Sequence, residues 1–75
     1  MKYIIWDERK DGQTFAEEYG SKEEAIRIAD LYWNRYRTDG EKKKTLAFYV
    51  IESENPGEDA DNHFDGNPVK VYKEA

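Results

Sequence analysis

From Ser21 to Arg37 the chain reads SKEEAIRIADLYWNRYR, and this stretch constrains the fold more than any other. Ala25, Ile28, Ala29, Tyr32 and Tyr36 recur at i, i+3, i+4, i+7 and i+11, the spacing of one stripe on an amphipathic helix. Ile26, Leu31 and Trp33 widen that stripe. Lys22 apart, the charged residues Glu23, Glu24, Arg27, Asp30, Arg35 and Arg37 keep off its centre. Ser21 followed by Glu24 is a capping box, in which the hydroxyl accepts from the Glu24 N–H and the carboxylate reaches back to the Ser21 N–H. A helix of this kind needs an apolar surface to lie on, and the other segments supply one.

Tyr3-Ile4-Ile5-Trp6 is a short β-rich run, followed by a polar turn from Asp7 to Gly12 in which Asp11-Gly12 supplies positive φ. Thr14 to Tyr19 alternates, with Phe15 and Tyr19 on one face and Thr14, Ala16 and Glu18 on the other, as expected of a half-exposed edge strand. Thr38-Asp39-Gly40-Glu41 repeats the capping-box spacing more weakly, so Asp39–Lys44 reads equally as one helical turn or as a solvated basic loop. Thr45 to Glu52 is the strongest strand, and its six consecutive apolar residues present apolar surface on both faces of a sheet. The segment 53–68 is an acidic loop rich in turn formers, and 69–75 reads as a short strand or a tail.

The implied fold class is α+β, with element order β-β-α-β and an optional last strand. Its sheet is three- or four-stranded and mostly antiparallel, with one amphipathic helix packed on one face. A right-handed crossover from the second strand to the third gives spatial order 2-1-3, with Tyr3–Trp6 central. At 75 residues the expectation is a single domain. There is no cysteine, so neither disulfide nor thiolate metal site is available, and two Trp, six Tyr and three Phe have to stabilise a small core instead. The apolar run after Met1 is too short for a signal sequence and no stretch approaches a membrane span, so a cytoplasmic location is expected.

Trp6-Asp7, Phe15-Ala16-Glu17-Glu18, Ser21-Lys22-Glu23-Glu24-Ala25, Ala29, Trp33-Asn34, Glu41-Lys42-Lys43-Lys44 and Phe48-Tyr49-Val50 form a pattern. It resembles that of a group of small uncharacterised proteins of Gram-positive bacteria and their mobile elements. The resemblance implies a bacterial protein. It brings no known activity, so no functional residue is carried over.

Catalytic chemistry finds little to work with. The one histidine, His63, sits in the acidic loop, and Ser21 and Ser53 read as a helix cap and a strand end. No enzyme activity, cofactor or small-molecule ligand is expected, and no catalytic residue is assigned. Asp61, His63, Asp65 and Gly66 match positions 1, 3, 5 and 6 of a calcium loop, but His63 is a poor third ligand and Tyr72 stands where a bidentate Glu is needed. A solvated acidic loop is the better reading.

Arg35, Arg37, Lys42, Lys43 and Lys44 lie near Tyr32, Trp33 and Tyr36, a composition compatible with weak nucleic-acid contacts. The net charge of −5 argues against that partner, as does the run of six acids from Glu52 to Asp65. The largest surplus is apolar. One helix covers one face, while Tyr3 and Ile5 oppose Ile4 and Trp6, and Leu46, Phe48 and Val50 oppose Ala47, Tyr49 and Ile51. Either one set is left open as an interaction surface, or the C-terminal segment with Phe64, Val69, Val71 and Tyr72 folds back over it.

The functional expectation is therefore a non-enzymatic protein-interaction or accessory module. It would use an apolar sheet face or an edge strand to bind another protein or a second copy of itself as a homodimer. Trp6, Trp33, Tyr49 and Ile51 are the candidate interaction residues. The alternative is an acidic decoy, in which the Glu52–Asp65 segment mimics a polyanion for a basic partner.

Overall fold

The computed structural model describes residues 2–54 and 67–74. Strands β1 (Lys2–Arg9), β2 (Thr14–Tyr19), β3 (Thr45–Ser53) and β4 (Asn67–Lys73) form one antiparallel sheet in the order β2-β1-β3-β4. Helix α1 (Lys22–Leu31) runs into a π-helical turn (Tyr32–Tyr36), and the short helix α2 (Asp39–Lys44) leads into β3. The α+β class, the central first strand and the 2-1-3 order follow the sequence reading, and β4 adds a fourth strand beside β3. No helix among the described residues is long and apolar enough to cross a membrane. The calcium-like set Asp61, His63, Asp65 and Gly66, the ring of Phe64, and most of the acidic run lie outside the described residues.

Local chemistry sets the boundaries. The Ser21 hydroxyl accepts from the Glu24 N–H at 3.2 Å and opens α1. Thr38 and Glu41 close a full capping box, with the Glu41 N–H donating to Thr38 Oγ1 at 3.2 Å and the Thr38 N–H to Glu41 Oε1 at 3.1 Å. That box resolves the ambiguous 39–44 segment as helix. Gly12 carries φ of 94° in the β1–β2 turn, and the Asp11 carboxylate accepts from the Gln13 N–H at 2.9 Å.

Two expectations are corrected. The polar turn was expected to start at Asp7, yet β1 continues through Asp7, Glu8 and Arg9, all paired with β3. Asp7 is answered from across the fold by Arg37, and Arg9 and Glu8 find partners two residues away in Asp7 and the Trp6 indole, so the segment needs no solvated turn. The helix was expected to run regularly to Arg37 with Tyr36 on the buried stripe. Instead the Arg37 N–H bonds to the Tyr32 carbonyl, five residues back, at 2.9 Å. A π turn is underwound relative to an α turn, so the stripe changes phase: Tyr36 is 65% exposed while Trp33 packs inward.

Beneath α1 the core consists of Ile5, Ala25, Ala29, Phe48 and Val50, flanked by Tyr3, Ile28, Trp33, Val69 and Tyr72 among others. Ala25 and Ala29, both fully buried, let the helix approach the sheet closely. Trp33 stacks on Phe48 with centroids 5.3 Å apart, and Tyr72 meets Phe48 edge-on at 5.4 Å. These three rings tie the π turn, β3 and β4 together without a disulfide. Strand β4 is fixed to α1 through Asp30, which accepts from Lys70 Nζ at 2.8 Å and from the Tyr72 hydroxyl.

Phe48→Ala is expected to cost about 3–5 kcal/mol, enough to unfold most of a domain this size. Tyr36→Ala is expected to change stability by less than about 0.5 kcal/mol. Urea unfolding of the two variants checks this, and a large loss at Tyr36 would contradict the phase change at the π turn.

Candidate interaction site at the β2 edge

The site is built on a buried charge cluster. Asp7 stands in the central strand on the face that bears α1, with its side chain only 10% exposed. A carboxylate there is costly unless it is paired and fully hydrogen-bonded. Arg37, delivered by the π turn, meets it with a two-pronged contact, Nη2 to Oδ2 at 2.7 Å and Nη1 to Oδ1 at 3.2 Å. Arg9 binds the same carboxylate through Nε and Nη2, each at 3.0 Å.

Arg37 also donates to Thr45 Oγ1 at 3.1 Å, and the Thr45 hydroxyl donates in turn to the Glu41 carbonyl at 2.9 Å. The guanidinium lies 4.7 Å from the Phe48 ring centre and 5.8 Å from that of Trp33. Burial works against the Asp7 charge, but hydrogen bonds and charge from Arg37 and Arg9 outweigh it and hold the carboxyl below its usual range.

A shallow cleft of about 240 Å³ opens beside this cluster, lined by Asp7, Arg9, Phe15, Glu17, Tyr32 and Arg37. Its outer wall is β2. Opposite β1, Phe15 faces Asp7 and Glu17 faces Ile5, so both stand on the α1 side of the sheet, while Ala16 and Glu18 face Trp6 and Ile4 on the other. Arg9 lies over the Phe15 ring at 5.4 Å. The Tyr19 hydroxyl donates to Glu17 Oε2 at 2.6 Å, and burial followed by this carboxylate raises the Tyr19 pKa. Residues 14–18 of β2 are all exposed, with Phe15 at 48%.

The sheet has two edges, and they differ. Strand β4 carries Pro68, which has no N–H to donate, and two register shifts against β3. Strand β2 contains no proline and pairs with β1 in one unbroken register from Tyr19 to Thr14. Its outer side therefore offers the sheet's regular backbone edge.

The four candidate interaction residues do not form one open surface. Trp6 and Ile51 share the face away from α1 but are buried, at 1% and 0% exposure, as is Ile4. The Trp6 indole N–H donates to Glu8 Oε1 at 3.4 Å. Tyr49 pairs with Trp6 across the strands and is half-buried, and its surroundings followed by the Glu8 charge push its phenol up to about 12. Trp33 lies on the opposite side of the sheet, against Phe48 and Tyr72, with Lys42 Nζ 5.4 Å from its ring centre.

Of the C-terminal residues named as a possible cover for the second face, Phe64 lies outside the described residues. Val69 and Tyr72 pack against the core beneath α1, and Val71 is 43% exposed. The basic run 35–44 is also divided: the Arg37 side chain is 8% exposed inside the charge cluster, while Arg35, Lys43 and Lys44 face outward.

Sequence reasoning missed the Asp7–Arg37 pair, whose members lie thirty positions apart with no local signal to join them. No family model, curated protein or solved structure matches this chain, so its own residues carry the functional reading.

Because the Asp7 pKa is depressed on folding, its contribution to stability is fully present above the ordinary carboxylate pKa of about 3.9. That contribution is lost as pH falls through the lower folded value. Asp7→Asn is expected to flatten the acid limb of the stability profile without abolishing it, since Asp30 and Glu41 are also depressed. Arg37→Met leaves a buried carboxylate short of its main partner and is expected to cost about 3–5 kcal/mol at pH 7. Adding Asp7→Asn to that variant should recover part of the loss. Thermal and urea unfolding between pH 3 and pH 7 measures both effects.

Proposed function

We propose that this chain is a non-enzymatic interaction module that accepts an extended peptide segment along the free edge of β2. The observation that carries the reading is the unbroken β2 edge. Its six residues keep a single register with β1, and they lie on a strand exposed from Thr14 to Glu18. Strand addition uses backbone donors and acceptors for affinity and alternate side chains for selection.

The rest of the molecule supports that role by holding β1 rigid behind the edge. Ile4, Ile5 and Trp6 are buried, and Asp7 is clamped by two guanidinium groups. A preorganised edge binds with less ordering cost than a mobile one. The apolar sheet face is less suited to docking, because Trp6 and Ile51 at its centre are already buried.

Selection of a random linear peptide display library on the immobilised protein tests this reading. Enriched peptides are expected to bind in extended form and to slow hydrogen exchange at backbone amides of Thr14–Tyr19. Enrichment of no peptide, or protection confined to other elements, would overturn it.

A further inference from the structure

We infer that the segment received by β2 is dibasic, carrying two adjacent Lys or Arg residues followed within two positions by an apolar side chain, and that it is not a second copy of this chain. This rests on the edge-docking reading and adds the partner's chemistry to it. Within β2 the charged residues are Glu17 and Glu18, with no cation among its six residues. Being consecutive, they project to opposite faces of the sheet. A partner strand aligned with β2 places its own consecutive residues across from them, one on each face. Two adjacent cations therefore answer both carboxylates at once.

In an antiparallel alignment the next residue of the partner lies opposite the exposed Ala16. The one after that lies opposite Phe15, 48% exposed at the rim of the cleft, and an apolar or aromatic side chain would complete its burial there. The present partners of the two acids leave room for this exchange. Among the described residues Glu18 is paired with Lys2 at 3.9 Å, both side chains being about half exposed, and Glu17 is held by a neutral donor, the Tyr19 hydroxyl.

The same charges disfavour self-pairing. Two β2 strands related by a twofold axis keep residues of one face opposite one another. Centring the pair on Glu17 or on Glu18 sets that carboxylate directly against its own copy. Centring it on Ala16 makes the two Glu17 carboxylates diagonal neighbours, and the Phe15-centred register, which separates them, pairs only Thr14–Ala16 of each strand, too short a ladder to hold two copies together. Like charges opposed across strands destabilise the pairing, and a net charge of −5 adds repulsion between copies.

The test uses the full chain and three blocked hexapeptides. The first is Tyr-Lys-Arg-Val-Phe-Thr, the second has both basic residues replaced by glutamine, and the third has both replaced by glutamate. At low salt the dibasic peptide is expected to bind about tenfold more tightly than the glutamine peptide, the size of two cross-strand charge pairs, and the glutamate peptide more weakly than either. Amide protection should fall on Thr14–Tyr19. The double variant Glu17→Gln/Glu18→Gln, with retention of fold checked by circular dichroism, should bind the first two peptides equally.

Equal binding of the dibasic and glutamine peptides to the unaltered protein, with β2 protected, would overturn the dibasic inference while leaving edge docking intact. Absence of β2 protection with every peptide, including those selected from the display library, would remove the edge reading itself. Sedimentation showing a dimer at neutral pH that protects β2 would make a second copy the occupant and refute the inference directly.

Discussion

A carboxylate placed in the central strand of a small sheet has to be neutralised from elsewhere in the chain, and the arrangement around Asp7 shows how much of this fold serves that end. Arg37 lies thirty positions further along, and its two contacts with Asp7 join the exit of the helix to the middle of the sheet. The same guanidinium holds Thr45 at the start of β3, and Thr45 in turn holds the Glu41 carbonyl within α2. Three elements thus meet at the Arg37 side chain, and Thr45 joins a fourth to them. An isolated surface pair contributes little to stability, but removing one partner of a buried, fully hydrogen-bonded pair leaves a charge with no adequate solvent. The cluster therefore acts on specificity: a chain entry that failed to bring Arg37 to Asp7 would strand both ions.

The π turn belongs to the same constraint. A regular α-helix through Tyr32–Tyr36 would keep Tyr36 on the stripe defined by Ala25, Ala29 and Tyr32. Underwinding at the Tyr32–Arg37 hydrogen bond turns Tyr36 to solvent and brings Trp33 onto Phe48, with Arg37 over the same ring. One aromatic is exposed so that an indole and a guanidinium can enter. In a domain with few core residues, the contact of Trp33, Phe48 and Tyr72 supplies much of the large apolar area that a disulfide-free chain needs.

These facts explain which parts of the structure could be read from the sequence. Elements governed by near-neighbour chemistry were readable: the Ser21 cap, the Ala25–Ala29 stripe, the Asp11-Gly12 turn and the alternation of β2. The order 2-1-3 followed from crossover handedness. What depended on distant partners was hidden. Asp7, Glu8 and Arg9 looked like a solvated turn because Arg37, the residue that lets Asp7 sit in a strand, is remote in sequence. Tyr36 continued the helical period without interruption, so no local signal marked the extra residue in the last turn. Trp6 and Ile51 were read as candidates for an open face, and periodicity alone could not show that both sides of the central strands are buried.

The burial of that face moves the functional weight to the edges, and there the argument is one of contrast within a single sheet. Strand β4 is protected by means common at sheet edges: a proline, broken register and lysines at 70 and 73. Strand β2 lacks the first two and carries acids in place of lysines. If acidity served only to prevent aggregation, either sign would do, since like charges repel copies in both cases. On the reading proposed above, a strand with regular backbone geometry and adjacent carboxylates on its two faces would instead be selective, disfavouring its own copy and favouring a strand of opposite charge. One edge is protected mainly by its backbone, whereas the selectivity proposed for the other rests on charge carried by a regular backbone.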